Sequence, residues 1–226
     1  MKIRNARILG LSGILLTVCA ACSSGDSDGL DVKTNWLGPL YKYERITGKD
    51  DFGIFLIKGE PGPTSLERIV LETPEITISA RSDLNSIDPS AYGKLRAELT
   101  AAFRQELSKQ FTVSASPGPG VYKFRAALTN LTAKRKVGGI GPPGLADLEF
   151  QFGNSAIEAE LRDTRSNMRH AVIVLKAQAE NTSWVGLADV FRKFAADAVT
   201  QAATARDEIK KRASRPKSAT KAKQNK

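Results

Sequence analysis

From Val121 onward the chain alternates between apolar and polar positions. In VYKFRAALTNLTAKRK, Tyr122, Phe124, Ala126 and Leu128 fall on one parity, and Lys123, Arg125, Ala127 and Thr129 on the other. That period of two predicts a half-buried strand. SAIEAELRD repeats it, with Ile157, Ala159 and Leu161 inward and Glu158, Glu160 and Arg162 outward. After the turn TRSNM comes RHAVIVLKAQA, whose continuous apolar run from Ala171 to Leu175 predicts a central strand. Upstream, ERIVLETPEITIS places Ile69 and Leu71 on one parity and Ile76 and Ile78 on the other, so Pro74 marks a bulge or an edge strand.

Two stretches change to a helical period. In SIDPSAYGKLRAELTAAFRQELSKQF, Tyr92, Leu95, Leu99, Ala102, Phe103 and Leu107 recur at steps of three and four, behind Asp88 as a cap and Pro89 at the first helical position. GLADVFRKFAADAVTQAATARDEIKKR lines up Leu187, Phe191, Phe194, Ala198, Ala202, Ala205 and Ile209 in the same way, which predicts a long alanine-rich second helix. Residues 31–65 show neither period. Their aromatics Trp36, Tyr41, Tyr43 and Phe55 predict an irregular segment that wraps a core and ends at the turn GEPGPTS.

The order strand, helix, strand, strand, strand, helix predicts an α+β fold. It is expected as a two-layer sandwich, a mainly antiparallel four-stranded sheet with two amphipathic helices on one face and polar side chains on the other. The expected organisation is a lipoprotein signal peptide over 1–21, a flexible linker over 22–30, the wrapping segment over 31–65, the α+β domain over 66–212 and a basic disordered tail over 213–226.

Charge changes the picture less than its total suggests. Of a formal +10 over 226 residues, residues 1–21 carry +3 and residues 210–226 carry +8, which leaves −1 for the chain between them. A near-neutral body with basic ends lacks the continuous basic face that nucleic-acid binding needs, so no nucleic-acid partner is expected. The tail KKRASRPKSATKAKQNK has no apolar face and reads as a solvated extension. Its functional alternative is electrostatic attachment to an anionic envelope polymer or lipid head group.

The N-terminus reads MKIRNAR, then ILGLSGILLTV, then CAAC. A basic start, an apolar core too short to span a bilayer and a small-residue end form an export signal. Ala20 and Ala21 stand directly before Cys22, which makes Cys22 the thiol expected to receive a diacylglycerol anchor. Cys19, preceded by Val18, would leave with the signal. A CxxC redox pair lacks its βαβ context, and a zinc site lacks ligands in a chain with one histidine and no other cysteine. No metal and no cofactor are expected. The polar run SSGDSDG that follows suits a spacer between lipid and domain, and Ser23 and Ser24 behind the anchor point to the outer membrane, periplasmic face.

Other candidate sites are thin. His170, the sole histidine, has no visible acid-base partners and reads as a polar residue at a strand end. Asp163, with Arg162 and Arg165, could bind a carboxylate or phosphate; the plainer reading is that it hydrogen-bonds the turn after it. VGGIGPPGLAD, residues 137–147, lacks the glycine spacing of a phosphate loop and reads as a mobile connection, with Ile140 and Leu145 as an apolar tip for a partner or membrane in the functional version.

At PGPGVYKFRAALTN and GNSAIEAELRDTRSNMRHAVI the chain resembles a family of Gram-negative lipoproteins, domain of unknown function three-three-one-three. The likeness runs from the aromatic segment to the second helix and leaves out the basic tail. In such families the second stretch usually has an Asp and then a turn with Thr-Gly; here Asp163 is present and Ser166 and Asn167 fill the turn, where Asn tolerates the left-handed backbone. The resemblance implies a lipid-anchored envelope protein and brings no catalytic residue with it. The expectation is a non-enzymatic binding or structural module held to the membrane by its lipid, with an envelope protein or anionic polymer as partner. The alternative is a periplasmic hydrolase-like enzyme whose active site the sequence does not display.

Overall fold

The computed structural model describes residues 34–50, 52–60, 62–63, 65–83, 89–136 and 144–214. Cys19, Cys22, the export signal, the linker, the Asp88 cap, Ile140 and the tail from 215 lie outside them. The elements are β1 (Tyr43–Lys49), β2 (Phe52–Ile57), β3 (Arg68–Leu71), β4 (Glu75–Ile78), α1 (Pro89–Gln110), β5 (Thr112–Val113), β6 (Val121–Arg135), β7 (Leu148–Gln151), β8 (Ala156–Asp163), β9 (Arg169–Lys176), β10 (Thr182–Ser183) and α2 (Trp184–Ala213).

The protein is α+β, with the strands and the two helices where their periods put them. The expected four-stranded sheet is corrected: ten strands join in one sheet, with the main order β1-β2-β9-β8-β6-β3-β5. β6, the 15-residue strand, is its spine. On one side it pairs antiparallel with β8 and, further along, with β7. On the other it pairs parallel with β3 and then β4. Pro74 lies between those two short strands, where no ladder requires its missing N–H. Midway along β6, Asn130 adopts φ 58°, and the parity shifts there: Tyr122, Phe124, Ala126 and Leu128 face the main core before it, Leu131 and Ala133 after it. A side-chain amide tolerates that left-handed backbone where a branched residue would be strained.

The segment read as irregular contains β1 and β2, an antiparallel hairpin that joins the sheet through β2 and β9. Alternation did not reveal β2 because both of its faces are covered. Ile54 and Leu56 belong to the main core, Phe55 to a second cluster on the opposite face. β9 has the same arrangement, with Ala171 and Ile173 on one side and Val172 and Val174 on the other, which accounts for its unbroken apolar run.

Both helices pack into the main core. Leu95, Leu99, Phe103 and Leu107 of α1 and Leu187, Phe191, Phe194, Ala198, Ala202 and Ile209 of α2 all belong to it. Phe103 meets Phe124 of β6 with ring centroids 5.5 Å apart. Tyr92 Oη donates to the Ile76 carbonyl at 2.5 Å, fixing α1 to β4. The opposite sheet face departs from the two-layer expectation, because residues 34–42 run over it as a strap whose Leu37 and Leu40 are buried against Phe55, Val172 and Val174.

Candidate functional site

Two places concentrate polar side chains in settings where water is scarce. The first lies beneath the strap. Glu158 and Glu160 project from β8 onto the outer face, as their parity demands, yet each is only 1% exposed. Glu158 is satisfied by the strap's backbone. The N–H of Asn35 donates to Oε1 at 2.8 Å, and those of Trp36 and Leu37 donate to Oε2 at 2.9 and 3.0 Å. Two residues along, Glu160 is ringed by arginines: Arg125 at 2.6 Å, Arg162 at 2.7 Å and Arg169 at 2.5 Å. Arg125 also reaches Glu72 at 2.9 Å and lies under the Trp36 ring, 4.9 Å from its centroid. Arg169 in turn donates to the Leu37 carbonyl at 2.9 Å. Buried carboxylates persist only when charge and hydrogen bonds are both met. Here the strap's amides satisfy Glu158 and three arginines neutralise Glu160, whose Oε2 has the Arg169 charge beside it and no hydrogen bond, so these groups hold the outer layer in place.

The second place is at the end of the sheet where β6 starts, β8 ends and β9 starts. A pocket of about 450 Å³ is lined there by Glu60, Gly62, Pro63, Tyr122, Asp163, Arg165, Ser166, Met168 and His170. Asp163 builds its rim: Oδ1 accepts from the N–H of Arg165 at 2.9 Å, the N–H of Ser166 at 2.7 Å and the Ser166 hydroxyl at 3.0 Å. Asn167 in the turn takes φ 57°, a left-handed backbone that Asn accepts. The Ser166 N–H holds the Asp163 carboxyl below its usual range.

Inside the pocket, His170 and Tyr122 stand edge to face with centroids 5.8 Å apart. Burial pushes the His170 imidazole below its usual 6.5, against the pull of the Asp163 and Glu60 carboxylates. Burial and the Asp163 charge raise the Tyr122 hydroxyl. Among the described residues no hydrogen bond joins His170 to Asp163, Ser166 or Tyr122, so no nucleophile and base are paired here in the manner of a triad. A larger hollow, about 830 Å³, runs along the outer side of α1 past Gly93, Arg96, Ala97 and Arg104. Its lining comes from exposed and half-buried positions, most of them on α1, and includes no buried ionisable group.

The His170 shift has a consequence for stability. Its folded pKa is below that of the unfolded chain, so above pH 6.5 both states carry it neutral and the contribution is fully present. Below that value the unfolded chain takes up the proton first, and stability is lost as pH falls toward the folded pKa. Urea titrations should show the unfolding free energy declining as pH drops below 6.5. His170→Gln should flatten that decline. A variant with an unchanged slope would remove His170 as its source.

The structure brings some of the sequence candidates together and separates others. His170, Asp163 and Arg165 share the sheet-end pocket, whereas Arg162 turns to the Glu160 cluster. Leu145 starts a single 3-10 turn before β7, and the rest of its loop lies outside the described residues. Glu158, Glu160, Tyr122 and Glu60 were not recognisable as site residues. The one signal was the pair of glutamates at alternate positions of a strand whose neighbours carry Arg125, Arg162 and Arg169. Among the described residues no group of three or more His, Cys, Asp or Glu could hold a metal ion, and no helix is long and apolar enough to cross a membrane.

Against known proteins, the family model described as protein of unknown function (DUF3313) matches residues 66–198, more than half of the chain. No curated protein matches by sequence. Solved structures give distant likenesses. A neuraminyllactose-binding hemagglutinin homologue from Helicobacter pylori is 11% identical, covering 69% of this chain and 93% of its own, with a TM-score of 0.37. The PelC dodecamer protein from Paraburkholderia phytofirmans is 11% identical, covering 66% and 94%, at 0.33. A protein from Caulobacter crescentus described as a lipoprotein is 14% identical, covering 62% and 88%, at 0.22. Such scores say nothing about activity or partners.

Proposed function

We propose, because this chain belongs to the DUF3313 family of proteins of unknown function, that it is a lipid-anchored envelope lipoprotein whose body is a non-enzymatic binding or structural module. The observation that carries this reading is the order MKIRNAR, ILGLSGILLTV, CAAC, which places Cys22 directly behind small residues at the end of a short apolar core. The anchor is a thioether at Cys22 bearing acyl chains. Ser23 and Ser24 favour retention at the outer membrane, on its periplasmic face, and the basic tail favours contact with an anionic polymer or protein of the envelope.

The body suits a module standing on such a tether. Near its first described residues, Asn35 lies beside Ser155 and Ala156, where β8 begins. The pocket with His170 opens at the other end of the same strands, on the order of 20 Å away at about 3.3 Å per residue. The point where the described chain begins and the pocket therefore lie toward opposite ends of β8. The carboxylates most apt for acid-base work, Glu158 and Glu160, are committed to the strap and the arginines.

Cells fed a labelled fatty acid should yield a labelled protein that fractionates with membranes. Cys22→Ser should lose the label and leave the membrane fraction, while Cys19→Ser should keep both. Label retained by Cys22→Ser would place the anchor elsewhere.

A further inference from the structure

The sheet-end pocket holds two polar rings with nothing to bind. Tyr122 is 5% exposed and His170 is 7% exposed, so both are more than nine-tenths buried. Among the described residues no hydrogen bond reaches the Tyr122 hydroxyl or the His170 ring. Neither side chain is among those with a polar atom both fully enclosed and unpartnered, so their polar atoms open onto the pocket that their rings line. Their rings are held by burial while their polar atoms stay accessible, so a ligand can reach them without unfolding anything.

Two carboxylates and one guanidinium line the pocket, so its charge leans negative: Asp163 and Glu60 both favour a proton on His170, while Arg165 is an exposed cation at the edge. Among the described residues neither carboxylate is in an ion pair, unlike Glu44, Glu67, Glu72, Glu106 and Glu160. Oδ1 of Asp163 is taken by the turn, and no described group donates to Oδ2. Arg165 lies on the exposed rim, and Arg212, which lines the cleft behind His170 on the α2 side, is bound to Glu44 at 2.6 Å. A neutral imidazole and a phenol present acceptor lone pairs, and the two carboxylates add negative potential.

We propose that this pocket binds a primary ammonium group, with the Tyr122 oxygen and a His170 ring nitrogen accepting its hydrogen bonds and Asp163 and Glu60 supplying the countercharge. The proposal rests on reading the body as a binding module and gives that module a ligand class. The amine could belong to a free polyamine or to an amino sugar, both of which present the same group. Binding weakens as His170 gains its proton, because an imidazolium offers no acceptor and repels the ligand. The facing groups that set this balance are Tyr122 from β6, Asp163 and Arg165 from the turn after β8, Glu60 from the loop after β2 and Arg212 from α2.

The test uses the full-length protein in detergent and follows the His170 ring resonances by NMR, with putrescine, glucosamine and N-acetylglucosamine as probes. Putrescine, glucosamine or both should shift the ring signals saturably, and the response of each distinguishes a polyamine from an amino sugar. N-acetylglucosamine, which lacks the charge, should not shift them. Tyr122→Phe should weaken binding about tenfold, the loss of one hydrogen bond to a charged group. Glu60→Gln, at an exposed site remote from the core, should weaken it roughly threefold to tenfold. Affinity should fall as the imidazole protonates. Equal binding of glucosamine and its N-acetyl form would overturn the proposal, as would unchanged affinity in both variants or no response to either amine. None of these outcomes touches the fatty-acid labelling at Cys22, so the two readings fail separately.

Discussion

Replacing Glu160 with alanine is expected to lower the unfolding free energy by about 3–5 kcal/mol, the loss that follows when one partner of a buried ion cluster is removed. The carboxylate is 1% exposed and is the common counter-ion of Arg125, Arg162 and Arg169. The three cations do not suffer equally. Arg125 keeps Glu72 at 2.9 Å and Glu75 at 3.8 Å, whereas Arg162 and Arg169, 18% and 17% exposed, keep no carboxylate: Arg162 has the Asn167 carbonyl, and Arg169 the Leu37 carbonyl and the Tyr43 ring. The loss should therefore fall toward the lower end of the range. Glu160→Gln should lose less, because its amide oxygen still accepts from a guanidinium. Urea unfolding followed through the tryptophans Trp36 and Trp184 measures both variants. An alanine variant within about 1 kcal/mol of the parent, the scale of a surface pair, would mean that the cluster holds nothing together.

Glu158→Ala should act locally. Three backbone N–H groups lose a charged acceptor, and at about 1.5–3 kcal/mol for each such bond their sum would exceed the Glu160 effect if the strap stayed in place. It does not need to stay. Once detachment of residues 34–42 is cheaper than leaving those groups unsatisfied, the strap lifts and the loss is capped by its own docking energy. The main core, which shares no residue with the strap's cluster, remains folded. Hydrogen exchange at Asn35, Trp36 and Leu37 should then rise by about a hundredfold, the equivalent of two such bonds, with α1 and β6 unaffected. Lifting would also bare Leu37, Leu40, Phe55, Val172 and Val174, so the variant should aggregate more readily. Unchanged exchange at those amides would show that the strap is held by its apolar contacts alone.

The parts of the fold that the sequence discloses are those with one apolar face. α1, α2, β8 and the first half of β6 each set a single apolar row toward the main core, so their periods are clean and the residues read as inward are the ones in or against that core. β2 is covered on both sides and has no alternation to find. β6 changes parity at Asn130, and no periodic template survives that shift. Alternation also tells only which face a side chain takes, not whether another segment covers that face. For this reason Glu158 and Glu160 read as solvent-facing while the strap buries them. The turn at Asp163 was legible because its chemistry is local: a carboxylate accepting from the next residues and an Asn in the left-handed region. The pocket was not, since Glu60, Tyr122, Asp163 and His170 come together from three separate stretches of chain, and nothing in their spacing records it.

The most direct test of the account is the mass of the mature polypeptide extracted from native membranes. A lipid-anchored module predicts a chain that begins at Cys22 and carries a diacylglycerol thioether, with the rest of the mass equal to that of residues 22–226. A chain that begins at another residue, or one of unmodified mass, would contradict it.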